Sequence, residues 1–181
     1  IWVYPPTGTI GAVRSSASVR KSTVYIGSDD DYLYALNSSN GSLKWYRLTT
    51  GNVVSTPFPI DDGSDYWTVY FGTHGNYVYA VTEDNTKAAG WAAVGINIGN
   101  SIVSTTVSDG VNIYFGCYDK KVYAVNITNG SITWVSQTLN GTLVSSPAVG
   151  TAELYIGSTD GKLYSLNIAD GTYLRDFSTG G

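Results

Sequence analysis

An internal repeat is the feature that most constrains what this chain can fold into. Four segments align almost without gaps, and they are residues 24–45, 69–91, 113–134 and 154–175. Their equivalent tyrosines, beginning with Tyr25, recur every 41 to 45 residues. A period of about 40 to 45 residues with several strands in each unit is typical of β-propeller blades. The repeat therefore predicts an all-β chain of about four blades, each a four-stranded antiparallel sheet.

Alternating apolar residues and short turns place the strands within each unit. In the last unit we predict an inner strand at 142–149 and three further strands at 153–158, 162–167 and 172–177. Asp-Gly pairs separate the last three, because Asp bonds its own backbone and Gly supplies a positive φ without steric cost. The predicted blades of this single domain are residues 9–50, 51–97, 98–138 and 139–179.

Composition excludes two classes of partner. Charged residues make up 13% of the chain and the net charge is −4, with no block of basic residues. Nonspecific binding to nucleic acid requires such a basic footprint, so we expect no nucleic-acid partner. No apolar run approaches the roughly 20 residues that cross a bilayer, and we expect no membrane span. Because the chain starts without an initiator Met, we expect a mature form or an excerpt.

The most specific motif joins the third and fourth strands of a unit. Residues 35–45 and 124–134 share the pattern Ala-x-Asn-x-x-Asn-Gly-x-x-x-Trp. This pattern resembles the tryptophan-docking motif of quinoprotein-type propellers, the PQQ-like repeat family. The resemblance implies that outer-strand tryptophans pack against the neighbouring blade beside small alanines. The residues placed in this role are Trp2, Trp45, Trp91, Trp134, Ala35, Ala80 and Ala124.

Two units depart from the docking pattern. The second unit, residues 80–91, is one residue longer and loses the turn glycine. The fourth unit has Ser165 and Arg175 where alanine and tryptophan stand elsewhere. We therefore predict weaker docking at these two blade edges.

The N-terminal residues raise the question of how the ring closes. Ile1, Trp2, Val3 and Tyr4 lie in phase with the outer strands, so residues 1–8 are predicted to form an outer strand of a preceding or neighbouring blade. One strand is then left over, and it can complete a blade in another copy by strand addition. Four hypotheses follow: an excerpt of a seven- or eight-bladed ring, a ring of two copies, a head-to-tail filament, and a closed four-bladed monomer.

Catalytic chemistry is not indicated by the sequence. The family's dehydrogenases need a quinone, a calcium ion and a catalytic Asp, and we recognise no such constellation. The one histidine, His74, lies in a predicted turn, and the one cysteine, Cys117, takes the place of small residues in the other units. We predict no catalytic or cofactor-binding residue and no cofactor. The alternative is a calcium ion at Asp61, Asp62 and Asp65, which lie on an acidic loop.

The expected function is therefore structural. We predict a noncatalytic extracellular, cell-surface or periplasmic module for scaffolding, adhesion or self-assembly, with copies of itself or other surface proteins as partners. A carbohydrate- or peptide-binding module and a fragment of a quinone-dependent dehydrogenase are the alternatives. Glycans are a further possible partner class, and five Asn-x-Ser/Thr sequons are potential N-glycosylation sites. They begin at Asn37, Asn40, Asn126, Asn129 and Asn140.

Overall fold

The structure is a computed structural model that describes residues 1–5, 9–61 and 67–179. These residues form four antiparallel sheets of four strands each, which confirms the predicted all-β propeller class. Blade 1 contains β1 (Ser18–Arg20), β2 (Thr23–Gly27), β3 (Tyr32–Asn37) and β4 (Leu43–Leu48). Blade 2 contains β5 (Phe58–Asp61), β6 (Trp67–Gly72), β7 (Tyr77–Thr82) and β8 (Ile96–Asn97).

Blades 3 and 4 repeat the same order. Blade 3 contains β9 (Val107–Ser108), β10 (Asn112–Gly116), β11 (Val122–Asn126) and β12 (Ile132–Val135). Blade 4 contains β13 (Ala148–Val149), β14 (Glu153–Gly157), β15 (Lys162–Asn167) and β16 (Tyr173–Ser178). In every blade the strands pair in chain order, so each blade is a meander of adjacent hairpins. Within the described part of the chain, no helix is long and apolar enough to cross a membrane.

The hairpin between the second and third strands needs a left-handed residue in every blade. Four residue types meet this need, namely Asp31, Asn76, Lys120 and Gly161, with φ between 69° and 79°. Asp and Asn tolerate this conformation better than most residues, and glycine adopts it freely. The turn geometry is therefore retained while its sequence varies.

The inner strands are shorter than predicted. The expected strand at 142–149 is reduced to Ala148–Val149. The reason lies in Ser145, whose hydroxyl bonds both the N–H and the carbonyl of Gly157, at 2.9 and 2.8 Å. A side chain thus replaces the ladder where the inner strand was expected. The equivalent pairs are Ser15 with Gly27, Ser55 with Gly72, and Ser104 with Gly116.

The hydrophobic core lies between blades. Each blade has a front face, which points toward the following blade in the chain, and a back face, which points toward the preceding one. Most of the buried apolar residues that the structure describes form three clusters, at the junctions of blades 1 and 2, 2 and 3, and 3 and 4. At the first junction, Tyr25 and Leu33 from blade 1 pack with Val69 and Phe71 from blade 2. Four blades with three such junctions leave one front face and one back face at the ends.

Candidate functional site

Each blade is joined by one tryptophan to the segment or blade that precedes it in the chain. In each case the indole N–H donates a hydrogen bond to a backbone carbonyl of the blade that follows the tryptophan. The pairs are Trp2 to Ser38 at 3.0 Å, Trp45 to Glu83 at 2.6 Å, Trp91 to Ile127 at 2.9 Å and Trp134 to Ile168 at 3.0 Å. An indole combines a large apolar surface with one donor, so each tryptophan contributes both packing and a directional bond to the junction.

The motif needs glycine at its turn for two reasons, which are the positive φ and the close approach of a tryptophan ring. Gly171 has a φ of 73°, and a Cβ built on it would lie 2.8 Å from Cζ3 of Trp134. Gly41 is related in the same way to Trp2. A side chain at either position would displace the indole. The motif alanine lies in cross-strand register with its tryptophan, as in the pair Ala124 and Trp134.

The second blade lacks the motif glycine but keeps the turn. Asn85 takes the left-handed conformation there, with a φ of 68°. Trp45, which docks on this turn, is half-buried, and Arg47 beside it donates to the carbonyls of Asn85 at 3.1 Å and Ala93 at 2.8 Å. Polar bonds thus supplement the indole at this junction. Trp91 also differs from Trp45 and Trp134, because it precedes the outer strand of its blade, β8, instead of lying in it.

The front face of blade 4 has a polar cluster where other blades have the alanine and tryptophan. Arg175 contacts the Glu153 carboxylate at 2.6 and 2.9 Å. The same carboxylate accepts bonds from the hydroxyls of Ser165, at 2.5 Å, and Tyr155, at 2.8 Å. These bonds from Ser165, Tyr155 and Arg175 lower the pKa of Glu153 from 4.5 to about 2. The cluster is therefore a satisfied ionic group with no tryptophan to reach a further blade.

A second inter-blade contact was missed by the sequence interpretation. At each junction an aliphatic side chain from the following blade covers the glycine that ends the second strand of the preceding blade. The pairs are Val53 on Gly27, Ile102 on Gly72 and Leu143 on Gly116. All three aliphatic residues are fully buried. We call this residue the knob and the glycine surface its hole.

The knob also makes a backbone bond across the junction. The N–H of Val53 donates to the carbonyl of Ser28 at 3.0 Å, and that of Ile102 donates to Thr73 at 3.1 Å. Leu143 repeats the bond to Cys117 at 3.4 Å. A sequence signal for the knob exists, since each knob stands two residues before the serine that clamps the glycine of its own blade.

The N-terminal segment, residues 1–5, lies on the back face of blade 1. Trp2 packs on Gly41, and the ring of Tyr4 lies 5.8 Å from that of Tyr34. Ile1 and Val3 are exposed. Within the described residues this segment forms no ladder with another strand, and residues 6–8 lie outside them. The outer strand at residues 1–8 stays a prediction.

The two residues considered for reactivity, His74 and Cys117, have different surroundings. His74 is exposed, and its Nδ1 lies 3.3 Å from the Ser101 hydroxyl, with the Tyr118 ring against it. Cys117 is fully buried, and burial raises the pKa of its thiol to about 12. A thiol of that pKa is protonated at neutral pH and is a poor nucleophile.

The acidic turns are occupied by protein contacts. Asp61 pairs with Arg20 at 2.5 Å, and Asp29 pairs with Arg14 at 2.7 Å. The other two calcium candidates, Asp62 and Asp65, lie outside the described residues. Among the described residues no group of three or more His, Cys, Asp or Glu side chains could hold a metal ion.

The sequon asparagines have a local structural role. Asn37 accepts the N–H of Ser39 at 2.9 Å, and Asn126 accepts that of Thr128 at 2.9 Å. Asn40 and Asn129 make the same bond to the residue two positions on, in the turn that carries the motif glycine. The repeated Asn-x-Ser/Thr pattern thus arises from Asx turns. Asn40, Asn129 and Asn140 are exposed, whereas Asn37 and Asn126 are half-buried.

Solved structures share this architecture. The crystal structure of BamB from Moraxella catarrhalis superposes with a TM-score of 0.70 at 17% identity, covering 97% of this chain and 52% of that one. The computationally designed Ika4 protein superposes with a TM-score of 0.74 at 14% identity, covering 89% of this chain and 94% of the other. At these identities the likeness concerns the fold. This chain spans about half of the BamB structure and nearly all of the designed one.

Sequence comparison finds curated relatives and a family. The beta-alanine-activating enzyme of Danio rerio is 30% identical over 135 residues, which cover 68% of this chain and 10% of that protein. The tetrathionate hydrolase of Acidithiobacillus ferrooxidans is 31% identical over 103 residues, which cover 56% of this chain and 19% of that protein. The family model described as "Outer membrane protein assembly factor BamB" matches residues 5–134 and 60–176. Because these matches span nearly the whole chain, it belongs to the PQQ-like repeat family of β-propellers that this BamB model describes.

Proposed function

We propose that this chain is a noncatalytic scaffolding module that associates with proteins, copies of itself included, through the end faces of its blade array. One observation carries the proposal. Leu163 on the front face of blade 4 is 36% exposed, whereas its equivalents in the other blades, Leu33, Val78 and Val122, are 0% exposed. The same surface that forms each internal junction is thus left open at the end of the array.

The open face is apolar around its centre. Val144 and Phe177, which flank Leu163, are also exposed. A cleft of about 390 Å³, lined by Val144 and Leu163 among others, lies over Gly157 and Ser158. Contiguous exposed apolar surface on a soluble domain commonly marks a protein-interaction site. The cleft therefore suits a protein surface that continues the blade array.

The absence of catalysis is part of the proposal. It is supported by the exposed position of His74, by the buried thiol of Cys117 and by the ion pair that occupies Asp61. Quinone and calcium, added together, should bind no better than to an unrelated protein. Absorbance and calorimetry check this, and saturable binding of both would reverse the assignment.

An extracellular or periplasmic location completes the proposal. The family model carries the description of an outer membrane protein assembly factor, and three of the five sequon asparagines are exposed, Asn40, Asn129 and Asn140. Peptide mapping of protein secreted from a glycosylating host tests the sequons. Glycans are expected at these three sites in preference to Asn37 and Asn126.

The central test is self-association measured by sedimentation velocity over a wide range of protein concentration. The wild-type chain is expected to shift to heavier species as concentration rises. Leu163→Glu places a charge on the open face and should keep the chain monomeric, since burying an unpaired charge is costly. Val111→Glu, at an exposed turn of blade 3, is the matched control and should behave like wild type. A chain that stays monomeric up to its solubility limit contradicts the proposal.

A further inference from the structure

We propose that the front face of blade 4 binds the N-terminal edge of a second copy of this chain, with Val13 as the knob and Gly157 as its hole. The inference rests on the proposed function and names the partner and the contact. The same knob-and-hole contact occurs at the three internal junctions, and here it is repeated between two copies.

The hole on blade 4 is complete but unfilled. Gly157 is clamped by Ser145 in the same way as Gly27, Gly72 and Gly116 are clamped in their blades. A Cβ built on Gly116 would lie 2.6 Å from Cβ of Leu143, whereas one built on Gly157 would meet only the side chain of its own clamp, at 3.1 Å. The space that a knob takes on blade 3 is therefore open on blade 4.

The backbone acceptor for a knob is also present. Ser158 is the equivalent of Ser28, Thr73 and Cys117, whose carbonyls each accept the N–H of a knob. The Ser158 carbonyl accepts a turn bond from Gly161 at 3.2 Å, as Cys117 does from Lys120 at 3.1 Å. Within the described residues it lacks the second bond that Cys117 accepts from Leu143. Ser158 also lines the open cleft, where a knob would approach.

The unfilled knob is at the other end of the array. Val13 stands two residues before Ser15, which clamps Gly27, so it is the equivalent of Val53, Ile102 and Leu143. Val13 is 49% exposed, whereas those three residues are 0% exposed. Its backbone N–H donates to no other described residue. The chain thus carries one free knob and one free hole, which a head-to-tail contact between two copies pairs.

The two faces are also complementary near their outer strands, at the positions where tryptophans dock in the internal junctions. Blade 4 offers Arg175 where other blades offer a docking tryptophan. Blade 1 needs no such tryptophan, because Trp2 already packs on Gly41 and bonds to Ser38. A copy that approaches with blade 4 therefore finds the indole position of blade 1 filled. Since the contact uses different faces of each copy, it is heterologous and either closes a ring or extends a chain of copies.

Complementation of two single-site variants tests the contact. Val13→Asp spoils the knob and leaves the hole intact, whereas Gly157→Ala fills the hole and leaves the knob intact. Each variant alone should associate at least roughly tenfold more weakly than wild type. An equimolar mixture should form a 1:1 heterodimer, because one good knob then meets one good hole. Sedimentation velocity with one variant fluorescently labelled measures this, and circular dichroism checks that both variants are folded.

Matched controls separate the contact from general effects of substitution. Val94→Asp changes another exposed valine, and Gly150→Ala changes a glycine outside the hole. Both should associate like wild type. If wild type associates but Val13→Asp and Gly157→Ala do so equally well, this inference fails while the proposed function stands. If wild type does not associate at all, both fail.

Discussion

The junction of blades 3 and 4 and the open face of blade 4 are built on the same backbone plan but differ in what covers them. On blade 3, Gly116 is covered by Leu143 and Trp134 reaches the next blade. On blade 4, Gly157 borders an open cleft and Arg175 pairs within its own blade. Each blade therefore supplies half of a junction, and the ends of the array keep the unused halves.

The loss of stability should differ most at the outer-strand positions of the two faces, which are Trp134 and Arg175. Trp134→Ala should lower the free energy of unfolding by about 3–5 kcal/mol, because it removes a buried indole and opens a cavity. Arg175→Ala, at the equivalent position on blade 4, should cost much less, since its ion pair with Glu153 is partly exposed. Chemical denaturation of the two variants measures the difference. Similar losses would mean that the two positions are not structurally distinct.

The knob residues provide the next comparison. Leu143→Ala should cost about 2–5 kcal/mol, because Leu143 is fully buried on Gly116. Val13→Ala should change the stability of the monomer by less than about 0.5 kcal/mol, because Val13 is half-exposed. Denaturation must be followed at low concentration, where association does not contribute. A large loss for Val13→Ala in the monomer would place Val13 inside an intramolecular junction.

Alanine substitutions of the two hole glycines, Gly116 and Gly157, should also differ in their effect on stability. Gly116→Ala should cost about 1–3 kcal/mol, because its Cβ would lie 2.6 Å from Leu143 and 2.7 Å from Ile156. Gly157→Ala should be close to neutral, since its nearest neighbour is the rotatable side chain of Ser145. Thermal unfolding of both variants tests the pair. An equal loss at Gly157 would show that its hole is already filled.

A smaller difference concerns the pH dependence that Glu153, on the open face, adds to stability. Because the pKa of Glu153 is lower in the folded chain, at about 2, than its ordinary 4.5, its contribution is complete above pH 4.5 and is lost as the pH falls toward 2. Glu153→Gln should therefore lose less stability than wild type over this interval. Melting temperatures of both proteins at matched ionic strength give the difference. Parallel curves would indicate that the bonds from Ser165, Tyr155 and Arg175 to Glu153 do not stabilise the fold.

Much of the fold could be predicted from the repeat. Its period and turn residues were enough for the all-β propeller class, because turn conformation and strand alternation are local properties. The short inner strand was not predictable, since Ser145 replaces backbone pairing through a bond to Gly157, twelve residues away. The knob was also missed. Val13 and Leu143 are equivalent in sequence, and only the packing of neighbouring blades shows that one is covered and the other is not.

We expect the two ends of this array to be halves of one junction. The mass of the native particle, measured by light scattering with electron microscopy of the same sample, shows whether they pair. We expect particles of two or more chains, as a closed eight-bladed ring or as a longer head-to-tail series. A uniform particle with the mass of one chain at every accessible concentration would contradict the claim.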